Sequence, residues 1–296
     1  MPGTEPIIIR APGGLSAAVN PIGAELWWLR DPQGRNLQWD GDPAFWTGRA
    51  PILFPIVGRL NDDRLRWRGE TYRMEKHGFA RRRRFAVEAA SDAAVTLVLA
   101  ADAESRAQYP FDFALRLIFA VEGASLSVTA RVDNPGDEPL PFSFGFHPAL
   151  RWPLPFGQPR SDHRILFARD EPEAVHRIGR DGLLARTEPT PIDGRELILR
   201  DALFEDDALL FLGLESRSVT YGADQGPRLR VDFPGFPDLG VWTKPGAGYV
   251  CIEPWHGYAD PHGFEGEFDE KPGIMRLDPG ATWRATMTIT LEDESR

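Results

Sequence analysis

The chain has 296 residues, of which 34 are basic and 44 acidic, giving a formal net charge of −10. An acidic chain has no general attraction for nucleic-acid phosphates or anionic lipids, so nucleic acid is not an expected partner. Hydrophobic residues make up 42% and charged residues 26%, which is typical of a folded globular protein and excludes a disordered one. No apolar run approaches the roughly 20 residues of a membrane-spanning helix, and no membrane insertion is expected.

The single cysteine, Cys251, cannot form an internal disulfide, and the N-terminus has no signal-peptide pattern. We therefore expect a cytoplasmic protein. The chain has 29 glycines, 27 prolines and 9 tryptophans, which indicates many turns between short, aromatic-rich strands. The composition predicts a mostly β protein.

Hairpin patterns begin near the N-terminus and recur along the chain. Residues 7–10 and 15–19 are predicted to form two strands about a glycine turn, because glycine adopts the positive φ of hairpin turns. Segments rich in β-branched and aromatic residues predict further strands at residues 65–67, 70–74, 85–87, 95–99, 113–119, 126–132, 209–211, 218–221, 229–233, 239–242, 249–253 and 283–291. This spacing is typical of an all-β sandwich or barrel.

Helices are expected to be few and short. Residues 101–108 contain helix formers but end at a proline, and residues 201–204 are long enough for one turn. Residues 151–194 show no clear period, so we expect long loops that cross the sandwich there. No break in composition marks a boundary, and the sequence predicts a single β domain over residues 1–296.

Three β segments end with an ionisable side chain. They are residues 54–60 with Arg59, residues 142–148 with His147, and residues 251–255 with Glu253. His147 and Glu253 each precede a proline, which favours extended backbone and is typical of a place where a strand meets a loop. Side chains at such places often face a cleft.

These segments resemble the aldose 1-epimerase family, the galactose mutarotase-like proteins, and within it a bacterial subgroup with the patterns Gly-Phe-His-Pro and Ile-Glu-Pro-Trp. The resemblance covers most of the chain, through residues 54–60, 76–81, 109–111, 144–148, 204–211 and 239–255. It implies a large antiparallel β-sandwich of the galactose mutarotase type with few short helices. It also implies an isomerase that interconverts the α and β anomers of a hexose without a cofactor.

The resemblance assigns the acid and the base of this reaction. Glu253 would take the proton of the anomeric hydroxyl, and His147 would protonate the ring oxygen. The pyranose opens, the aldehyde rotates about its C1–C2 bond, and the ring closes with the two roles reversed. A histidine and a carboxylate from separate strands can supply this chemistry, and each group typically contributes roughly 10²–10⁴ in rate.

The same resemblance implies residues that bind the sugar. Arg59 and His77 match positions that contact substrate oxygens. An aspartate that holds a sugar hydroxyl corresponds to Asp207, with Asp206 as the alternative. Trp242 can offer a flat apolar surface to the C–H face of a sugar, although a strand tryptophan is equally compatible with core packing.

Each of these residues also has an ordinary structural interpretation. Without the resemblance, His147 would be read as a hydrogen-bonded core histidine, and Arg59 with His77 as a structural pair with acidic neighbours. Four further histidines show no metal-ligand spacing, and Cys251 is expected to be an inert buried thiol, so no metal site is predicted. Residues 81–84, four arginines, are expected to be mostly solvated surface.

Three alternative functions remain beside a free-sugar mutarotase. One arginine of residues 81–84, near His77, could reach the phosphate of a hexose 6-phosphate, as in the family's hexose-6-phosphate epimerases. A sugar-binding or regulatory protein could keep the pocket without turnover, because a fold does not fix its function. A glycoside hydrolase could use Glu253 with Asp207, carboxyl groups that would stand about 5–10 Å apart.

Overall fold

The computed structural model describes residues 5–293. Within this range the regular structure is almost entirely β, with one four-residue α-helix, α1 (Ala103–Arg106), and short 3-10 helices at Asn61–Asp63, Ala80–Arg82, Arg160–Asp162, Asp201–Phe204 and Phe268–Glu270. The strands, in chain order, are β1 (Ile7–Arg10), β2 (Ser16–Asn20), β3 (Glu25–Arg30), β4 (Ile52–Leu53), β5 (Arg64–Trp67), β6 (Glu70–Arg73), β7 (Ala86–Ala90), β8 (Ala94–Ala100), β9 (Ala114–Glu122), β10 (Ser125–Asp133), β11 (Leu140–Phe142), β12 (Phe144–Phe146), β13 (Ala149–Arg151), β14 (Arg164–Phe167), β15 (Val175–Ile178), β16 (Leu184–Glu188), β17 (Glu196–Ile198), β18 (Leu209–Phe211), β19 (Ser218–Gly222), β20 (Arg228–Asp232), β21 (Asp238–Trp242), β22 (Tyr249–His256), β23 (Met275–Leu277) and β24 (Thr282–Glu292).

Two large antiparallel sheets make up the body of the molecule. One has nine strands in the order β17-β14-β19-β20-β24-β10-β9-β8-β7. The other has the order β16-β15-β18-β21-β22-β12-β4, with β13 also paired to β22. Smaller sheets are formed by β1-β2-β3, by β5-β6 and by β11-β23.

The two large sheets pack face to face through aromatic side chains. Phe167 of the nine-stranded sheet lies 5.4 Å, between ring centroids, from Phe211 of the other sheet. Trp283 and Phe144 make a similar contact at 5.5 Å. Because side chains alternate between the faces of a strand, β9 has every second residue buried in this core. The architecture is an all-β antiparallel sandwich, as predicted from the sequence.

Strand β22 differs from β9 because both of its faces are covered. Seven of its eight residues are buried. Val250 and Ile252 belong to the main core between the sheets. Cys251 and Trp255 belong to separate apolar clusters on the opposite face of the strand. The alternation therefore directs Glu253 to the face of the eight-stranded sheet that is turned away from the main core.

The predicted hairpins and short helices are confirmed, since β1 pairs with β2, β5 pairs with β6, and α1 lies within residues 101–108. The expectation of long loops over residues 151–194 is wrong, because β14, β15 and β16 lie there. The alternation of apolar and polar residues is interrupted by a charged side chain at a buried position. Arg177 is a buried residue of β15, and its Nε donates to Glu188 at 2.9 Å. No helix within residues 5–293 is long and apolar enough to cross a bilayer.

The prediction that His147 and Glu253 both lie where a strand meets a loop holds for one of them. His147 directly follows β12, but Glu253 lies inside β22. The strand continues through Pro254 because its neighbour on one side is interrupted between Phe146 and Ala149. A ladder hydrogen bond is therefore not required from every residue of this stretch.

Candidate active site

A cavity of about 210 Å³ opens on the face of the eight-stranded sheet that carries Glu253. Its ionisable lining residues are Lys76, His77, Arg81, His147, Asp207 and Glu253, and its tryptophans are Trp46, Trp242 and Trp255. Segments far apart in the sequence thus meet around one small space. Of the six site residues expected from the sequence, the structure brings His77, His147, Asp207, Trp242 and Glu253 to this cavity.

Glu253 is fixed on the cavity wall by its position in β22. It pairs with Gly240 of β21, and its side chain is 2% exposed. A Cβ atom on Gly240 would lie 2.9 Å from the ring of Trp255 and 3.4 Å from the Cβ of Glu253. The absence of a Cβ atom at Gly240 therefore leaves space for the side chains of Trp255 and Glu253.

His147 reaches the same wall from the neighbouring strand. Strand β12 pairs with β22 through Gly145 and Trp255, and His147 is the next residue after β12. Its Nε2 atom lies 3.2 Å from the Oε2 atom of Glu253. Oε2 of Glu253 and Nδ1 of His147 are buried and have no hydrogen-bond partner among the described residues. Lone pairs on these two atoms are therefore free to accept protons.

Burial controls the protonation of this pair. Removal from water raises the pKa of Glu253 well above its ordinary value; the nearby Asp207 also raises it, and Lys76 lowers it. Burial lowers the pKa of His147, as do the charges of Lys76 and Arg81. Both shifts favour the uncharged forms, a protonated Glu253 and a neutral His147. The 3.2 Å between Nε2 and Oε2 places both groups within reach of one bound molecule.

His77 is held as a neutral hydrogen-bond donor. It lies in a tight turn in which His77 and Gly78 have φ of 66° and 68°, and a Cβ atom on Gly78 would clash with the carbonyl oxygen of Phe54 at 2.2 Å. The backbone N–H of Gly58 donates to Nδ1 of His77 at 3.1 Å, which places the ring proton on Nε2. Burial lowers the pKa of His77 well below its ordinary value. The Nε2–H group is therefore a fixed donor.

Two cations at the cavity were not assigned individually from the sequence. The Nη2 group of Arg81 donates to the backbone oxygen of Lys76 at 2.7 Å, and its Nε is buried without a partner among the described residues. Burial lowers the pKa of Arg81 from its ordinary value. The motif around His77 contains both residues, and their direction into the cavity depends on a turn that no local pattern specifies.

Arg82 and Arg83, the next two arginines of the run, form ion pairs near the surface. Residues 80–82 form a 3-10 helix rather than a strand, so the side chains do not simply alternate between two faces. Arg82 pairs with Glu75, and Arg83 pairs with Asp102. The run thus combines one cavity residue with surface ion pairs.

The two candidate aspartates have different surroundings. Asp207 lines the cavity, with φ of 68° and its Oδ1 accepting from the N–H of Ala208 at 2.8 Å. Asp206 is exposed and accepts from Arg186 at 2.8 Å. The structure therefore places Asp207, and not Asp206, where it can meet a bound molecule.

Arg59 is the expected site residue that does not line the cavity. Its Nε and Nη2 donate to the carboxylate of Asp63 at 2.7 and 2.8 Å, and its Nη1 donates to the backbone oxygen of Asp181 at 3.1 Å. It lies behind Gly182, a lining residue, at which a Cβ atom would come within 3.1 Å of the Arg59 side chain. Its guanidinium group is therefore engaged with these oxygens.

Trp46 is a lining residue that the sequence did not single out. Its ring stacks on His147 with centroids 5.0 Å apart and an interplanar angle of 30°. It also makes an edge contact with Trp242 at 5.4 Å. Trp46 lies in an irregular segment between β3 and β4, where neither strand nor helix periodicity gives a signal. The two indoles form an apolar wall next to the polar pair.

Comparison with known proteins places this architecture in a family. The family model described as aldose 1-epimerase matches residues 6–290. The chain belongs to the aldose 1-epimerase family. A curated relative, protein LacX from Lactococcus lactis subsp. lactis, is 31% identical over 288 residues, which cover 94% of this chain and 96% of that protein.

Two solved structures agree with this family and with the fold expected from the sequence. A galactose mutarotase related enzyme from Lactobacillus acidophilus superimposes with a TM-score of 0.87 at 30% identity, covering 97% of each chain. A galactose mutarotase-like protein from Lactobacillus casei gives a TM-score of 0.89 at 28% identity, covering 97% of this chain and all of that one. The sandwich is therefore of the galactose mutarotase type, and membership of the aldose 1-epimerase family implies a carbohydrate isomerase.

Proposed function

We propose that the protein is an aldose 1-epimerase that interconverts the α and β anomers of a hexose by acid/base opening and closure of the ring. The observation that carries this proposal is the buried His147–Glu253 pair, with Nε2 and Oε2 3.2 Å apart on the wall of a cavity lined by ionisable side chains and tryptophans. Ring opening needs one group that takes a proton from the anomeric hydroxyl and one that gives a proton to the ring oxygen. The pair supplies both groups with a single proton.

The reaction begins with transfer of the shared proton to His147, which leaves Glu253 as a carboxylate. Glu253 takes the proton of the anomeric hydroxyl while His147 gives its proton to the ring oxygen, and the C1–O5 bond breaks. The two sugar oxygens are bonded to the same carbon, so two side chains only 3.2 Å apart can serve both of them. After rotation about C1–C2, the same steps in reverse close the ring on the other face.

Neighbouring groups support the binding of the sugar. The Nε2–H of His77 and the carboxylate of Asp207 offer one donor and one acceptor to hydroxyl groups. Trp242 and Trp46 offer flat surfaces that can stack on the C–H face of a pyranose. Arg59 would take part only after its guanidinium leaves Asp63.

A phosphorylated hexose is a second candidate substrate, favoured by the cations at the cavity. Lys76 and Arg81 both line it, and the buried Nε of Arg81 has no partner among the described residues. Arginine and lysine are the side chains that most often hold phosphate groups. A hexose 6-phosphate would place its phosphate on these residues and its anomeric centre on the His147–Glu253 pair.

Anomer exchange measured by NMR at neutral pH tests the proposal and names the substrate. Glucose, galactose and their 6-phosphates are compared with and without the protein, at a temperature where spontaneous mutarotation is slow. Acceleration of a free or a phosphorylated sugar supports the corresponding form of the proposal. Binding of a sugar by a folded protein without acceleration would overturn it in favour of a non-catalytic binding protein.

A further inference from the structure

We infer that the buried cluster of His147, Cys251 and Glu253, two of which line the cavity, is also a binding site for a thiophilic divalent metal ion such as Zn²⁺. The ligand atoms of these three side chains lie within 4.8 Å of one another, and all three residues are buried. Metal binding needs only this cluster, whereas its effect on turnover rests on the function proposed above.

The three side chains form a ligand set suited to zinc. Imidazole nitrogen, thiolate sulfur and carboxylate oxygen are its usual protein ligands, and three of them leave a fourth position for water or an exchangeable molecule. Zinc–ligand bonds of about 2.0–2.3 Å place ligand atoms roughly 3.3–3.8 Å apart, so side-chain shifts on the order of 1 Å close the site. His147 and Glu253 line the cavity, which gives the ion a path to the cluster.

The strand geometry explains why the cluster is invisible as a sequence motif. Cys251 and Glu253 are two residues apart in β22 and therefore lie on the same face of the strand. His147 is more than a hundred positions earlier in the sequence and approaches from the adjacent strand β12. Histidine spacing alone predicts no metal site, because the ligands come from two strands and include a thiol.

Charge balance favours an ion at this place. The thiol of Cys251 and the carboxyl of Glu253 are both buried, where a lone negative charge is costly. A divalent cation with one thiolate, one carboxylate and one neutral imidazole is a neutral assembly, which removes that cost. In addition, Oε2 of Glu253 has no hydrogen-bond partner among the described residues, so no existing bond has to be broken at this atom.

Occupancy by the ion would block the proposed reaction. The metal takes the lone pairs of Glu253 and His147 that would move protons, so the ion and productive sugar binding exclude each other. Cys251 takes no part in the proton transfers. Its thiol would therefore make the enzyme sensitive to zinc without contributing to turnover.

Cobalt absorption gives a direct test of binding that does not depend on activity. A thiolate bound to Co²⁺ produces a charge-transfer band in the near ultraviolet. We expect this band on titration of the wild-type protein with one equivalent of Co²⁺, displacement of the cobalt by Zn²⁺, and no band in Cys251→Ser or Cys251→Ala. The matched control is His262→Ala, which removes an exposed histidine 4.0 Å from Asp181 and should leave the band unchanged.

Calorimetry adds a quantitative readout. Zinc binding should release about one more proton in the wild type than in Cys251→Ser, because the thiol loses its proton when it binds the ion. The serine variant should bind Zn²⁺ at least about 100-fold more weakly, because even loss of a supporting residue around a metal costs 10–100-fold. No cobalt band in the folded wild type, equal affinity in Cys251→Ser, or loss of binding in His262→Ala would each overturn the inference.

Inhibition separates this inference from the proposed function. Where anomer exchange is catalysed, Zn²⁺ should inhibit the wild type, a chelator should restore the rate, and Cys251→Ser should keep its rate at the same zinc concentration. A protein that shows the cobalt band but no exchange activity would support the metal site and contradict the epimerase. A protein that catalyses exchange but shows no cobalt band would support the epimerase and contradict the metal site.

Discussion

The Nε2 atom of His147 and the Oε2 atom of Glu253 lie 3.2 Å apart because Glu253 lies in β22 and His147 directly follows β12, the strand paired with it. Neighbouring antiparallel strands are about 4.8 Å apart, so two side chains that point to the same face there come close together. The separation is therefore a property of the fold. It makes the two side chains one acid/base unit with a single proton, and the predictions below depend on that unit.

The pH dependence of kcat/KM should show that only one protonation state of the His147–Glu253 pair is active. Loss of the proton leaves no acid, so the rate falls as the pH rises through the raised pKa of the Glu253 side of the pair. A second proton disables the base, and burial moves this acid limb below the ordinary histidine pKa of about 6.5. We expect kcat/KM, corrected for spontaneous exchange, to be flat through pH 6.5. A limb rising through that value would instead indicate an ordinary exposed histidine.

Glu253→Gln should stabilise the protein while it removes the base. The folded-state pKa of Glu253 is raised, so the folded state holds this proton more tightly, and wild-type stability falls as the pH rises from about 4.5 to the folded-state pKa. The glutamine cannot ionise, and its amide can donate to Nε2 of His147. Urea unfolding at neutral pH should therefore show a gain of roughly 1–3 kcal/mol in the free energy of unfolding, since each pH unit over which only the folded carboxyl keeps its proton costs about 1.4 kcal/mol. The gain should vanish near pH 4, and a gain that is independent of pH would contradict this reasoning.

Asp207 and Asp206 provide a matched pair of substitutions. Asp207→Asn should lower kcat/KM for the sugar by roughly 10–100-fold, through loss of a charged hydrogen bond, and asparagine tolerates the positive φ of this position. It should also move the alkaline limb of the pH profile to lower pH, because the charge of Asp207 raises the pKa of Glu253. Asp206→Asn, which only breaks a surface pair with Arg186, should stay within about twofold of the wild type. The opposite ranking in steady-state NMR assays would move the substrate contact to Asp206.

Arg81 and Arg82 provide a second matched pair, for the phosphate. Arg81→Met should lower kcat/KM for glucose 6-phosphate by about tenfold or more relative to its effect on glucose, since a charged hydrogen bond contributes about 1.5–3 kcal/mol. Arg82→Met removes the adjacent arginine, which pairs with Glu75 at the surface, and should affect neither sugar. Equal losses on both sugars in Arg81→Met would exclude a phosphate contact.

The sequence predicted the fold class because alternation and turn residues are local signals. It did not predict β15, because Arg177, a charged residue, occupies a buried position of this strand. The ion pair with Glu188 allows this side chain to be buried. The resemblance to the family brought His147 and Glu253 together, but their separation depends on strand register, which no single segment determines. Trp46 and Arg81 could not be assigned to the cavity because an irregular segment and a tight turn direct them there. For Arg59, the local partner Asp63 determines where the guanidinium points.

The most direct test of the central claim is anomer exchange by NMR for the wild type, Glu253→Gln and His147→Asn, with the same sugar, temperature and neutral pH. We expect acceleration above the spontaneous rate in the wild type and a loss of at least about 100-fold in each variant, with circular dichroism unchanged. Exchange in either folded variant at the wild-type rate would contradict the claim that these two side chains carry the protons.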